Sequence, residues 1–437
     1  YWIACGGSIA ETHMLDEHVI KETPERLIAS TEAYWQAWLG KEQTDLSLLP
    51  KDLRTLYRRS LLVMRVHSDN QGGIIASSDT DMLHHGRDTY AYVWPRDGAM
   101  IAYTFDRAGY EDVSRRFYEF IARCQEPSGY LMHKYRSDGM LGSSWHPWII
   151  DGAARLPIQE DETATVVFAL WHHYERYRDI EFIESHYNSF IEPAAQFMVE
   201  YIESTTGLPQ ASFDLWEEKY GTSTYTAASV YGALMAAAKF ALVLGKEEPA
   251  RTYQAVAQRI QMAIGATMYD QARGIFAKQI FHHDDGEVVA DWTLDTSSLH
   301  GLLFFGVFDI DDERISRMVA AVEDVLQVKS ESKGFVRYEG DAYYRMHDAG
   351  SPNPWVVTTM WVARYYIEKA KKLTDLKRPL ELLQWTSSHA TSSGMLAEQM
   401  HPENRQHLSA APLVWSHAEY VLTVQAYLEK VKTFEGK

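Results

Sequence analysis

DGAMIAYTFDRAGYEDVSRRFYEFIARCQ, residues 97–125, decides the fold. Apolar residues recur there at helical spacing on both sides of Arg107-Ala-Gly-Tyr110, so the stretch reads as two helices, 97–108 and 110–125, joined by a tight turn. The same unit repeats outward along the chain. The spacing predicts further helices at 50–68, 160–178, 180–203, 223–244, 247–269, 295–305, 311–327, 352–373, 377–389 and 412–431, after a lead-in helix near Pro24–Leu39. Asp97, Glu160-Asp161-Glu162, Asp295-Thr296-Ser297 and Pro412 supply start signals. Strand-like text is confined to short pieces such as Gly274–Ile280 and Glu287–Ala290.

Every second helix begins after a long loop rich in Gly and aromatic residues, and these starts recur at intervals of about 60 residues (97, 160, 223, 295, 352, 412). The other connections are short, as at Asp179-Ile180 and Gly245-Lys246. Six helical hairpins with long loops at one end describe an all-α chain. Closed on itself it is an (α/α)6 barrel of six inner and six outer helices with all the long loops at one mouth. An open helical solenoid is the rival arrangement.

The 437 residues suffice for one large domain or two smaller ones. With 46% hydrophobic and 23% charged residues the chain can fill a substantial core. Thirteen Trp and 26 Tyr lean towards carbohydrate, because an aromatic face suits the C–H face of a sugar ring, although a core rich in rings would use them too. A net charge of −18 argues against nucleic acid, whose binding draws on Lys and Arg. Two cysteines, Cys5 and Cys124, exclude a disulfide-dense scaffold and a multi-Cys zinc site. No stretch approaches roughly 18 consecutive apolar residues, so no membrane partner is expected. The opening Tyr1-Trp-Ile-Ala-Cys-Gly-Gly reads as the end of a strand, with an N-terminal part missing before it.

The unusual clusters fall in the long loops. Tyr90-Ala-Tyr-Val-Trp94-Pro-Arg96-Asp97 sets an Arg beside an Asp, which together can donate to and accept from adjacent hydroxyls of one sugar. An N-capping Asp with a surface Arg would look the same. Ser143-Ser-Trp145-His-Pro-Trp148 precedes Glu160-Asp161-Glu162, acids that also suit a helix N-terminus. Phe213-Asp214-Leu215-Trp216-Glu217-Glu218 holds adjacent carboxylates among rings, where repulsion and poor solvation raise a carboxyl pKa. Gly334-Phe-Val-Arg337-Tyr338-Glu339-Gly-Asp341-Ala-Tyr343 leads to Asn353-Pro354-Trp355. Ala397-Glu398-Gln399 places a lone acid in small, apolar text before Trp415. A turn accounts for the former and a salt bridge for the latter when each is taken singly.

Together, Trp94-Pro-Arg96-Asp97, Leu215-Trp216-Glu217-Glu218, Arg337-Tyr338, Asn353-Pro354-Trp355, Ala397-Glu398-Gln399 and Trp415-Ser416 resemble the ordered motif set of the glucoamylases, glycoside hydrolase family 15. The likeness runs from about residue 90 to the C-terminus. Leu156-Pro-Ile-Gln159-Glu-Asp161-Glu162-Thr163 resembles the bacterial and archaeal branch, in which a β-sandwich precedes the barrel. On that pattern residues 1–22 are the last strand of such a sandwich, 23–48 a linker helix and 49–437 the barrel. The resemblance implies hydrolysis from non-reducing ends of α-1,4-glucans with release of β-glucose. Glu217 takes the position of the general acid and Glu398 that of the general base. It further implies that Tyr90 helps hold the attacking water and that Arg96, Asp97 and Arg337 grip the terminal glucose. Trp94, Leu215, Trp216, Tyr343 and Trp415 belong to the same sugar site, with Glu218 and Trp145 or Trp148 reaching the next glucose.

Rival substrates on this pattern are α-1,6 glucosides and trehalose, and a non-catalytic glucan-binding barrel would be expected to lack one of the two acids. Neither a cofactor nor a catalytic metal is expected. His84-His85, His172-His173 and His282-His283 are neighbours in sequence, and adjacent side chains on a helix point apart.

Overall fold

The computed structural model describes the chain except residues 1–2, 43, 81, 86–87, 151, 283–286, 331, 347–349 and 436–437, and the side chains of His84 and His85. Two compact units divide at Thr44 and Asp45. The first holds helices α1 (Ile9–Lys21) and α2 (Pro24–Leu39). Helix α2 lies where the periodicity put it. Helix α1 corrects the strand expected at the start of the chain: residues 3–8 are in no strand, and no part of a β-sandwich occurs among the described residues of this segment. The signal for α1 was legible. Ser8 Oγ accepts from the Glu11 N–H at 3.2 Å and Glu11 Oε2 accepts from the Gly7 N–H at 2.6 Å, a Ser-x-x-Glu arrangement that fixes a helix start.

The second unit runs α3 (Lys51–Val66), a single turn α4 (Met82–His85), α5 (Pro95–Ala108), α6 (Glu111–Cys124), α7 (Glu160–Tyr177), α8 (Ile180–His186), α9 (Glu192–Glu200), α10 (Thr224–Val243), α11 (Glu247–Thr267), α12 (Thr296–Phe304), α13 (Glu313–Val325), α14 (Val356–Lys369), α15 (Lys377–Ser388) and α16 (Val414–Glu435). The expected helix 180–203 is α8 and α9 joined through the π turn Tyr187–Ile191. Helices α5, α7, α10, α12, α14 and α16 each pack on the next, and α16 packs back on α5. That last contact closes the ring and rules out the open solenoid. Outside it α6 backs α5, α11 backs α10, α13 backs α12, α15 backs α14, and α3 backs α16.

An inner helix buried on nearly every side has no use for an outward polar stripe, and α10 shows the resulting text: from Thr224 to Val243 its one charged residue is Lys239. Helix α10 is long and apolar enough to cross a membrane, but 72% of its apolar window is buried inside the barrel. Hairpin α5–α6 turns at Gly109, whose φ of 86° is left-handed and favours glycine. Gly98 lets the two helices close: a Cβ there would lie 2.3 Å from the Phe117 ring.

The mouth is stitched by the helix starts themselves. The first N–H groups of a helix have no partner within it, and each inner helix gives one to the next loop around the ring. Arg96 N–H donates to a Glu162 carboxylate oxygen, Glu160 N–H to Ser212 Oγ at 3.4 Å and Thr224 N–H to Lys278 O at 3.0 Å. Thr296 N–H donates to Arg337 O at 2.9 Å, Val356 N–H to Glu398 O at 3.4 Å and Val414 N–H to Ala76 O at 2.9 Å. Candidate residues far apart in sequence are thereby tied to neighbouring helix N-termini. A small antiparallel sheet, in the order Ser212–Phe213, Tyr220–Ser223, Gln279–His282, Val288–Asp291, braces the loops before α10 and α12.

Candidate active site

A cavity of about 210 Å³ opens at this mouth, far above the roughly 10–15 Å³ that houses one water. Among the candidates, Tyr90, Trp94, Arg96, Asp97, Trp145, Leu215, Trp216, Glu217, Glu218, Arg337, Tyr343, Glu398 and Trp415 line it. Trp148 does not. It is 55% exposed, in a short hairpin where its carbonyl accepts from the Arg155 N–H at 2.9 Å. Ala76, Trp355 and Leu413 complete the wall and were not among the candidates.

Glu217 sits in a tight turn. Its N–H donates to Asp214 O at 2.9 Å, while Asp214 Oδ1 accepts from the Glu218 and Lys219 N–H groups at 2.8 and 3.1 Å. The turn holds Glu217 at φ 63°, an uncommon conformation for a residue with a side chain. Buried Lys278 lies 3.6 Å from Asp214 and 3.7 Å from Asp295, and Asp295 accepts from Trp216 Nε1 at 2.9 Å. So the turn is locked from beneath. Glu217 Oε1 accepts from Trp94 Nε1 at 2.8 Å, and Oε2 is buried without a hydrogen-bond partner. Burial lifts this carboxyl to about 7, with Arg96, Lys134 and the Trp94 N–H pulling down and Asp97 adding to the rise.

Glu398, between α15 and α16, is 5% exposed. Burial lifts it also to about 7, against hydrogen bonds from Ser409 and Gln399 and the Arg337 charge. Its surroundings differ from those of Glu217 in one respect. Gln399 Nε2 donates to Glu398 Oε2 at 3.3 Å, whereas Glu217 keeps its Oε2 bare. Tyr90 donates to or accepts from Tyr343 at 2.7 Å between the two hydroxyls. Burial raises the Tyr90 phenol well above its usual range, and the charges of Glu398 and Glu217 both add to the rise, so Tyr90 faces both acids.

Arg96 is buried among carboxylates. Its Nη1 donates to Gln159 Oε1 at 2.6 Å and Asp161 Oδ2 at 3.0 Å, and its Nη2 to Asp97 Oδ2 at 3.2 Å, with Glu162 at 3.2 Å from Nη1. One guanidinium cannot neutralise Asp97, Asp161 and Glu162 together, and burial pushes all three upwards, with Arg96 opposing. The acids at the α7 start are thus a buried scaffold for Arg96 rather than a solvated helix end.

On the opposite wall Asp341 clamps Arg337 with two hydrogen bonds of 2.7 Å, and Glu218 Oε1 accepts from its Nη2 at 2.8 Å. Trp355 lies 4.7 Å from the guanidinium carbon and Trp216 5.0 Å. Lys134, missed by the sequence reading, has its Nζ 3.3 Å from the Trp145 ring centroid and 3.5 Å from Asp88. Asp88 also accepts from Trp145 Nε1 at 3.0 Å; burial works against its charge, yet Ser143, Trp145, Thr89 and Lys134 bring it down to about 2. No local pattern marks Lys134, which lies in the long segment between α6 and α7.

Of the histidine pairs, His172 Nδ1 reaches Glu175 at 3.1 Å and His173 Nδ1 reaches Asp106 at 2.9 Å, so the two point apart. His283 and the side chains of His84 and His85 lie outside the described residues. His133, His146 and Glu217 are the grouping with metal-ligating atoms close together among the described residues.

With this geometry the chain was compared with known proteins. It is 28% identical over 93% of its length to an uncharacterized glycosyl hydrolase of Methanocaldococcus jannaschii, covering 62% of that protein. It is 24% identical to a glucoamylase of Clostridium sp. (95% of this chain, 59% of that protein) and 24% identical to trehalase 2 of Sulfolobus acidocaldarius (91% and 68%). The chain thus spans about three-fifths of the length of the first two relatives. Among solved structures it resembles a bacterial glucoamylase complexed with acarbose, at TM-score 0.77 and 22% identity over 97% of this chain and 62% of that one. A glucoamylase from Saccharomycopsis fibuligera follows at TM-score 0.70 and 17% identity over 90% and 98%. The model of the glycosyl hydrolases family 15 matches residues 51–425. The chain, a closed ring of helical hairpins with two proton-retaining carboxyls at its mouth, belongs to glycosyl hydrolase family 15.

Proposed function

We propose that this glycoside hydrolase removes glucose from the non-reducing ends of α-1,4-glucans by inversion, with Glu217 as general acid and Glu398 as general base. One observation carries the reading. Two carboxyls line the same cavity with raised proton affinity, and their hydrogen bonds suit opposite states. Glu217 Oε2 has no donor to satisfy a negative charge, which suits a carboxylic acid delivering its proton to the glycosidic oxygen. Glu398 Oε2 accepts from Gln399 Nε2 at 3.3 Å, which suits a carboxylate drawing a proton from water. Tyr90, which lines the same cavity as both acids, would hold that water.

Inversion requires room for the water, so the bound enzyme should hold the carboxyls about 6.5–9.5 Å apart, against the ~5–5.5 Å of a retaining pair. Aromatic walls of Trp94, Trp145, Trp216, Trp355 and Trp415 suit the faces of a sugar ring, and Arg96, Asp97 and Arg337 its hydroxyls. Loops from several hairpins surround the cavity, which suits a chain end rather than the middle of a polymer. Assays on maltose, isomaltose and trehalose side by side test the bond assignment. Turnover highest on maltose and rising with maltooligosaccharides is expected. A kcat/KM highest on trehalose, the sugar named by the Sulfolobus acidocaldarius relatives, would overturn the α-1,4 assignment while leaving the acid–base pair.

A further inference from the structure

His133 and His146 stand behind Glu217, on the segment between α6 and α7, 2% and 3% exposed. Their ring centroids are 4.4 Å apart, and His146 lies flat on Phe213 at 3.8 Å. Gln159 fixes the proton on His146. Its Oε1 is occupied by Arg96, so its amide nitrogen is the atom facing His146 Nε2 at 3.2 Å. An amide nitrogen only donates, so Nε2 accepts here and the ring proton sits on Nδ1, and an ion taking Nε2 must displace the Gln159 amide. His133 Nε2 is buried without a hydrogen-bond partner, as is Glu217 Oε2. Each of the three residues offers one ligand atom within 4.8 Å of the other two.

Two imidazoles and one carboxylate form a common ligand set for zinc, with bond lengths of about 2.0–2.2 Å, and imidazole nitrogen also suits copper. Lys134 and Arg96 place positive charge near both rings. We propose that His133, His146 and Glu217 form a latent site for Zn²⁺ or Cu²⁺, reached through the sugar cavity, whose occupation inhibits the enzyme by taking the Glu217 carboxylate. The inhibitory part rests on Glu217 being the proton donor. Binding itself does not. Lys134 and Arg96 oppose a cation here and Asp97 favours it, so the ion must be one that gains from nitrogen ligands. Mg²⁺ and Ca²⁺, which take oxygen ligands, should leave turnover unchanged.

The test is Cu²⁺ titrated into the full chain, read by electron paramagnetic resonance and by maltose hydrolysis. One ion coupled to two nitrogens, with at least a tenfold loss of activity at saturation, is expected. The H133Q/H146Q variant should lose the nitrogen coupling, and H133N alone should reduce it to one nitrogen if the double variant does not fold. A wild-type spectrum without two-nitrogen coupling, or the same spectrum surviving in the variants, overturns the site. Failure of the catalytic reading would look different: E217Q would turn over normally, with the two-nitrogen copper signal intact in the wild type.

Discussion

Glu217 and Glu398 carry about the same proton affinity and differ in what touches them. Each should lose about 10²–10⁴-fold in kcat as the Gln variant, with KM on maltose nearly unchanged, because the substitution removes proton transfer and little volume. Near-normal turnover in either variant contradicts its role. Since both carboxyls are lifted to about 7, the proposed roles need Glu217 protonated and Glu398 ionised in the same interval. The kcat/KM profile should therefore be a narrow bell centred near pH 7, and a plateau spanning pH 4 to 9 would count against the pair. Stability follows the same shifts. Below the ordinary value of 4.5, Glu398 is neutral whether folded or unfolded; as pH rises through 7 the folded site resists an ionisation that the unfolded chain accepts freely. The cost at full ionisation is about 3 kcal/mol, so E398Q should be more stable than the wild type to urea at pH 8 and equal to it near pH 4.5.

At the scale of elements, the first turns of the inner helices both close the mouth and hold groups that line the cavity. Arg96 shows the coupling: its N–H joins α5 to α7 while its guanidinium is held by Gln159 and Asp161. R96M leaves buried carboxylates without their cation and should lower unfolding free energy by roughly 3–5 kcal/mol, measured in urea. A loss under 1 kcal/mol would mean that the carboxyls are all neutral. G98A should cost about 1–3 kcal/mol through Phe117, with no direct effect on the cavity. Helix positions were legible because periodicity and capping are local, as at Gly109 and Asp295. The capping pattern at Ser8 and Glu11 is equally local, but the strand expectation rested on the apolar run before it alone. His133 was not legible beside Glu217, because only the closed ring brings the two together, and Lys134 and Asp341 act on Trp145 and Arg337 of their own loops, where no spacing pattern marks the contact.

Across the whole molecule, the contact of α16 with α5 brings residues from 76 to 415 around one cavity. The intervals of about 60 residues in the sequence pointed to the repeat and left its closure to that contact, and Trp94, Arg337 and Trp415 fell at one mouth because each precedes or opens an inner helix. Trp148 escaped because a hairpin too short to read from sequence carries it to the surface. On the proposed mechanism the two acids act across a water rather than through a covalent intermediate. Proton NMR of the glucose first released from maltose, recorded before mutarotation, tests it most directly. The β anomer is predicted; initial release of the α anomer would contradict the account.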